Sequence, residues 1–262
     1  MPRCYRRQKA AHTATELRRR KRHTKMAITF ERKTIGILGG MGPEATVELF
    51  KRIVNGTPAK TDQDHLRIII DNNPGIPDRT AAILEKGSDP LPALIRSARV
   101  LEQAGADFLV IPCNTAHHWL PKLRKSLTIP VLDMVEEVVK EIAKDSQALK
   151  RVGLMATTGT IKTKLYQTRL AEKGIRTLLP EPREQVQVMQ SIFRVKGGDH
   201  RVEQQVLDVA QSLVARGAQG MIMGCTELSI VGEGVGLACP LFDPLLILAQ
   251  RAIDYAIRTG AS

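Results

Sequence analysis

Aromatic residues are nearly missing from this chain. Phe, Tyr and Trp supply 3% of its 262 residues, so Ile, Leu, Val and Ala must fill the interior, and a 43% hydrophobic composition is enough to bury one or two cores. No apolar run approaches the roughly 20 residues of a membrane span, which leads to the expectation of a soluble protein. Four cysteines make no disulfide framework in a chain of this size, and a reducing cytoplasm is the natural setting. The first residues also lack the hydrophobic core of a secretory signal.

Acidic residues are in short supply too, 27 against 39 Lys and Arg, for a formal net charge of +12. The excess is local. Residues 1–33 hold twelve Lys and Arg, including Arg18-Arg19-Arg20-Lys21-Arg22, against Glu16 and Glu31, which leaves the remaining body at only +2. Nucleic acid is therefore not an expected partner of the folded body. The 1–33 segment reads as a disordered basic tail. It could be an arm touching nucleic acid or anionic lipid, an organelle-targeting peptide, or sequence upstream of a true start at Met26; a dispensable solvated segment is the plainest reading.

What the chain does have is an internal duplication. Thr34-Ile35-Gly36-Ile37-Leu38-Gly39-Gly40-Met41-Gly42-Pro43 is echoed by Arg151-Val152-Gly153-Leu154-Met155-Ala156-Thr157-Thr158-Gly159-Thr160, at an offset of 117. Ile111-Pro112-Cys113-Asn114-Thr115 is echoed by Met223-Gly224-Cys225-Thr226-Glu227 at 112, and Pro130-Val131-Leu132-Asp133 by Pro240-Leu241-Phe242-Asp243 at 110. Two long units indicate a duplicated domain, not a solenoid. Short runs that are apolar on both faces, such as Ile35 to Leu38, Phe108 to Ile111, Val152 to Met155 and Met221 to Met223, alternate with helical stretches. That alternation predicts an α/β fold of two similar lobes, each a mainly parallel sheet flanked by helices. The expected division is 34–130 plus about 230–262 for the first lobe and 131–229 for the second. Helices are predicted over 116–126 and 161–173, among others, and Gly105, Gly174 and Gly217 stand where left-handed caps belong.

Cys113 and Cys225 each follow a strand-like run, so both thiols are expected where a buried strand ends and sites tend to lie. Facing one another across an interlobe cleft, they would flank a small molecule. Racemisation of a carbon acid needs that arrangement, because the proton leaves one face and returns on the other, and a thiolate and a thiol serve as base and acid once tuned from a free pKa of roughly 8.5. Asn114, Thr115 and Thr226 add short hydrogen-bonding side chains. Gly40, Met41 and Gly42, with Thr157, Thr158 and Gly159 as counterparts, would let backbone approach an amino-acid substrate.

Gly39-Gly40-Met41-Gly42-Pro43, Asn73-Pro74-Gly75-Ile76-Pro77-Asp78-Arg79-Thr80, Pro112-Cys113-Asn114-Thr115 and Gly224-Cys225-Thr226-Glu227 together resemble the aspartate/glutamate racemase family over residues 34 to about 258. The resemblance implies two similar α/β lobes, no cofactor, no metal, a dimer, and Cys113 and Cys225 as the catalytic acid/base pair. Within that family the likeness is to aspartate racemases: it implies that Arg79 and Lys196 hold the distal carboxylate, with Asn114, Thr115 and Thr226 at the α-carboxylate. Glutamate racemases tend to follow the second cysteine with Thr-His, where Thr226-Glu227 stands here. Glutamate or a broader set of amino acids is the alternative substrate. A non-catalytic ligand-binding or nucleic-acid-associated protein is the alternative from another class.

Two other readings attach to the same residues. Gly40-Met41-Gly42-Pro43-Glu44-Ala45 fits the loosest dinucleotide fingerprint, with Asp71 ending the next strand, yet a dehydrogenase leaves the cysteine pair unexplained. His117 and His118 could join Cys113 at a metal, but no fourth ligand is apparent. Asp107, Glu227 and Asp133 are plausible supporting groups without assigned roles.

Overall fold

The computed structural model describes residues 32–144, 149–232 and 236–257. The basic segment through residue 31, with Cys4 and Met26, lies outside the described residues. The first half runs through β1 (Ile35–Gly39), α1 (Pro43–Gly56), β2 (Ile68–Asn72), α2 (Arg79–Ile83), α3 (Leu91–Gln103) and β3 (Phe108–Val110). A 3₁₀ segment, Thr115–Trp119, leads into α4 (Leu120–Arg124) and then α5 (Met134–Ala143). The second half runs through β4 (Arg151–Ala156), α6 (Thr158–Lys162), α7 (Leu165–Glu172), β5 (Arg176–Leu178), α8 (Pro182–Lys196) and α9 (Glu203–Ala215). It closes with β6 (Met221–Gly224), α10 (Thr226–Val231), β7 (Leu241–Phe242) and α11 (Pro244–Ile257).

The strands form two wholly parallel sheets, ordered β2-β1-β3 and β5-β4-β6-β7. Val131 bridges in parallel to Leu109, taking beside β3 the place that β7 takes beside β6. The three sequence repeats thus mark equivalent positions in two sheets of the same order, and the predicted two-sheet α/β architecture is the observed one.

Burial on both faces explains why the strands read as unbroken apolar runs. In the first sheet, Ile35, Ile37 and Val110 pack with Leu49 and Ile53 of α1, while Leu38 and Leu109 pack on the other side with Leu94 and Leu101 of α3. In the second, Met155, Met221 and Met223 meet α8 and α9, and Val152, Leu154 and Ile222 meet the opposite layer. Two helices exchange places between the halves. Val135, Val138, Val139 and Ile142 of α5, at the i, i+3, i+4, i+7 spacing of one helical face, pack against the second sheet. Leu245, Leu248 and Ile253 of α11 pack against the first. Each such side chain, removed from water, contributes roughly 1.5–3 kcal/mol. Within the segment expected to join the first lobe, residues 230–262, β7 instead extends the second sheet and only α11 returns.

Gly105, Gly174 and Gly217 have φ of +91°, +72° and +94°, the predicted left-handed caps. Two predicted helices are modified. The 116–126 stretch opens as a 3₁₀ turn and turns α-helical only at Leu120, next to Pro121. The 161–173 stretch begins earlier, because the Thr157 side chain accepts from Thr160 N and starts α6 at Thr158. It then breaks at Lys164, whose φ is +55°. Among the described residues no helix is long and apolar enough to cross a membrane. The loops leaving β1, β3, β4 and β6 at their C-terminal ends converge, the position where open parallel sheets carry their sites.

Candidate active site

Cys113 stands three residues past β3 and Cys225 directly follows β6, each only 6% exposed. Both line one cavity between the two sheets' loops. Of the residues singled out in the sequence, Met41, Arg79, Asn114, Thr115, Thr157, Lys196 and Thr226 also line it. Thr158 does not. As the first residue of α6 it turns away from its capping neighbour, its N–H donating to Met189 Sδ and its hydroxyl accepting from Gln185 Nε2 at 3.3 Å. Asp78, Thr80 and Glu227 complete the lining. The cavity is about 20 Å³, room for about one water and not for an amino acid. It adjoins an outer cleft of about 480 Å³ that shares Asp78, Arg79, Lys196 and Glu227 and adds Pro43, Glu44, Pro74 and Ile76. A larger cleft of about 610 Å³, bordered by Asp133, Lys140 and Arg169, contains neither thiol, so size alone does not mark the site.

Glu227 ties the second thiol to the cations. Cys225 Sγ–H donates to Glu227 Oε2 at 2.9 Å, while Lys196 Nζ pairs with Glu227 Oε1 and reaches Met41 O of the first half at 3.4 Å. Burial, and then the Glu227 carboxylate, push the Cys225 thiol well above its ordinary pKa; Lys196 opposes them only in part. Cys225 at rest is therefore protonated. Burial works against the Lys196 charge, but Glu227 outweighs it and holds the ammonium above the usual lysine range.

Arg79 is buried, and backbone carbonyls anchor its fork. Nη1 donates to Ile76 O and Pro77 O, both at 2.9 Å, and Nη2 to Met41 O at 3.1 Å. Its Nε is buried without a protein partner. Asn114 is in a similar state: Oδ1 accepts from the Tyr166 hydroxyl, while Nδ2 is buried and unpaired. The Thr115 and Thr157 hydroxyls line the cavity, Thr115 lying 2.9 Å from both Thr157 and the buried Thr160, and Thr226 donates to Pro112 O at 3.4 Å.

The competing sequence readings meet different fates. His117 is fully buried and kept neutral by its surroundings: burial lowers its pKa, Nδ1 bonds Cys113 O at 2.9 Å and Nε2 accepts from Met134 N at 3.1 Å. It therefore supports the backbone of the thiol loop without supplying a charge. His118 packs edge-on against Trp119. Among the described residues no group of three or more His, Cys, Asp or Glu is arranged to hold a metal. Gly40, at φ +92°, lies against the Asn73 backbone so closely that a Cβ would come within 2.3 Å of it; chain packing alone accounts for that glycine.

A family model described as Asp/Glu/Hydantoin racemase matches residues 38–252. The chain belongs to this family. As a member of the Asp/Glu/hydantoin racemases it is an isomerase of a class acting on small amino-acid substrates. It is 29% identical over 227 residues to the broad specificity amino-acid racemase RacX of Bacillus subtilis, covering 84% of this chain and 96% of that protein. The Picrophilus torridus aspartate racemase structure superposes with a TM-score of 0.76 at 30% identity, over 86% of this chain and 94% of that one. The glutamate racemase of Francisella tularensis, solved with D-glutamate, has a TM-score of 0.62 at 22% identity over 85% and 80%, a likeness of fold.

Glu227 and Tyr166 are the contributors that sequence reasoning left without roles. Glu227 had a signal, an acid two residues beyond a repeated cysteine. Tyr166 had none, since nothing in its spacing links it to Asn114, 52 positions earlier.

Proposed function

We propose that the protein interconverts L- and D-aspartate, with Cys113 and Cys225 as an acid/base pair on the two faces of the substrate Cα. The observation that carries this reading is that thiols from equivalent strand ends of two like sheets line one cavity that also holds Arg79 and Lys196. One thiolate takes the α-proton, breaking C–H and forming S–H, and the electron pair spreads into the α-carboxylate. The other thiol gives its proton to the opposite face and becomes the thiolate. Because Cys225 rests as a thiol, it serves first as donor, for the enantiomer whose α-hydrogen faces Cys113. In the reverse direction the roles exchange: the Cys225 thiolate takes the α-proton and the Cys113 thiol gives its own to the opposite face, which returns Cys225 to the thiol that donates to Glu227 Oε2. Asn114 Nδ2 donates to the α-carboxylate, supported by the Thr115 and Thr226 hydroxyls. Arg79 Nε and Lys196 Nζ hold the distal carboxylate. The thiols carry the chemistry, with no cofactor assigned to a step.

The outer cleft favours a second reading, a broad-specificity racemase, since about 480 Å³ beside the thiols exceeds what a short side chain fills. The two readings separate on the Arg79→Leu variant, assayed by chiral chromatography against L-aspartate, L-glutamate and L-lysine. If aspartate is the substrate, its kcat/KM falls about 10²-fold, the loss of one charge-assisted contact of 1.5–3 kcal/mol. Equal rates on all three amino acids, untouched by the substitution, would establish the broad reading instead.

A further inference from the structure

Tyr166 is completely buried on α7 in the second half of the molecule, its ring packed with Val135, Leu154 and Leu170. A buried phenol must place its proton. Burial drives the Tyr166 pKa well up, so the group remains O–H, and among the described residues its one hydrogen-bond partner is the Asn114 side chain, which belongs to the first half. That restricts the amide. Turned the other way, Asn114 would offer Nδ2 to the phenol oxygen and leave the phenol proton with no acceptor. With Oδ1 on the phenol, Nδ2 is the end left over, and it is the end that is buried without a partner while Asn114 lines the cavity between the thiols.

We propose that Tyr166 is a positioning residue: its hydroxyl fixes the Asn114 amide so that Nδ2, not Oδ1, is presented to the substrate's α-carboxylate. This rests on the reading that the cavity receives an amino acid. The distinction matters because an amide N–H attracts a carboxylate, whereas an amide oxygen in the same place repels it. Without the phenol proton the amide can rotate, and the site loses a donor and gains an acceptor. The contact also crosses between the two halves, so the donor is set only when they are together.

The test compares wild type, Tyr166→Phe, Asn114→Ala and the double variant with L-aspartate as the probe. Tyr166→Phe keeps the ring, and urea denaturation confirms that each variant is folded. The expected result is a rise in KM of about tenfold for Tyr166→Phe, with kcat changed much less, as for loss of a binding contact. The double variant should be no worse than Asn114→Ala alone, because the phenol acts only through the amide. Asn114→Asp provides a check that leaves Tyr166 intact: the phenol holds one oxygen, the other meets the carboxylate, and KM should rise at least as far as in Asn114→Ala. A wild-type KM in Tyr166→Phe, fully additive effects in the double variant, or a wild-type KM in Asn114→Asp would each overturn the assignment while leaving racemisation standing. A wild-type enzyme that neither binds nor exchanges aspartate, glutamate or lysine would overturn the functional reading and this assignment together.

Discussion

Cys225 should become easier to ionise when Glu227 loses its charge. The carboxylate two residues away raises the thiol pKa and also occupies Lys196, so Glu227→Gln removes an anion and releases a cation beside the sulfur. Both changes favour the thiolate. Alkylation of Cys225 by iodoacetamide, followed by peptide mass spectrometry across a pH series, should shift to lower pH in the variant; a shift upward would mean that Glu227 does not control this thiol. His117 makes a separate prediction at the same scale. Its folded pKa lies below the ordinary 6.5 because burial disfavours the cation. The stability it lends is full above pH 6.5, and it is lost as pH falls from there toward the folded pKa, since only the unfolded chain takes up the proton. The slope for one such proton is about 1.4 kcal/mol per pH unit. Urea denaturation at pH 7.5, 6.5 and 5.5 should show wild type losing stability faster than His117→Gln; parallel curves would place the proton elsewhere.

At the scale of elements, the central strands β1, β3, β4 and β6 were legible because they are buried on both faces, and the offsets of the repeat mark the very strands that pair as β1 with β3 and β4 with β6. The glycine caps were legible because only a positive φ ends those helices so tightly. Helix interruptions were not, since the break comes at a residue that is not glycine, Lys164 with positive φ, just after α6 packs on α2 of the first half. Gly159 marks that meeting. A Cβ there would lie 3.0 Å from Thr80 Oγ1 and 3.1 Å from Thr80 Cα, on the helix that begins with Arg79. Gly159→Val is therefore expected to displace α2 and lower kcat/KM on the order of 10²-fold with the fold retained, as misplacement by about an ångström can do. Circular dichroism beside steady-state kinetics makes the comparison; wild-type kinetics would mean that α2 is not held in register by α6.

For the whole molecule, the sequence led to the two-sheet architecture, and nine of the ten residues it singled out line one cavity, most of them just past the ends of β1, β3, β4 and β6. What it could not reveal is the closed state. A cavity of about 20 Å³ admits no amino acid, so its lining must open toward the adjoining outer cleft of about 480 Å³, at the Lys196–Met41 contact and the Glu44–His200 pair. These contacts join residues far apart in sequence, and no spacing rule connects them. The last pair is close to half exposed and contributes at most about 1 kcal/mol, which leaves it easily opened. The most direct measurement is incubation of L-aspartate, and separately D-aspartate, in deuterated water with wild type, Cys113→Ala and Cys225→Ala, followed by chiral separation and mass spectrometry. Wild type should yield the opposite enantiomer carrying deuterium at Cα, and each alanine variant should lose racemisation by about 10²–10⁴-fold. Racemisation that survives at the wild-type rate without either sulfur would contradict the account.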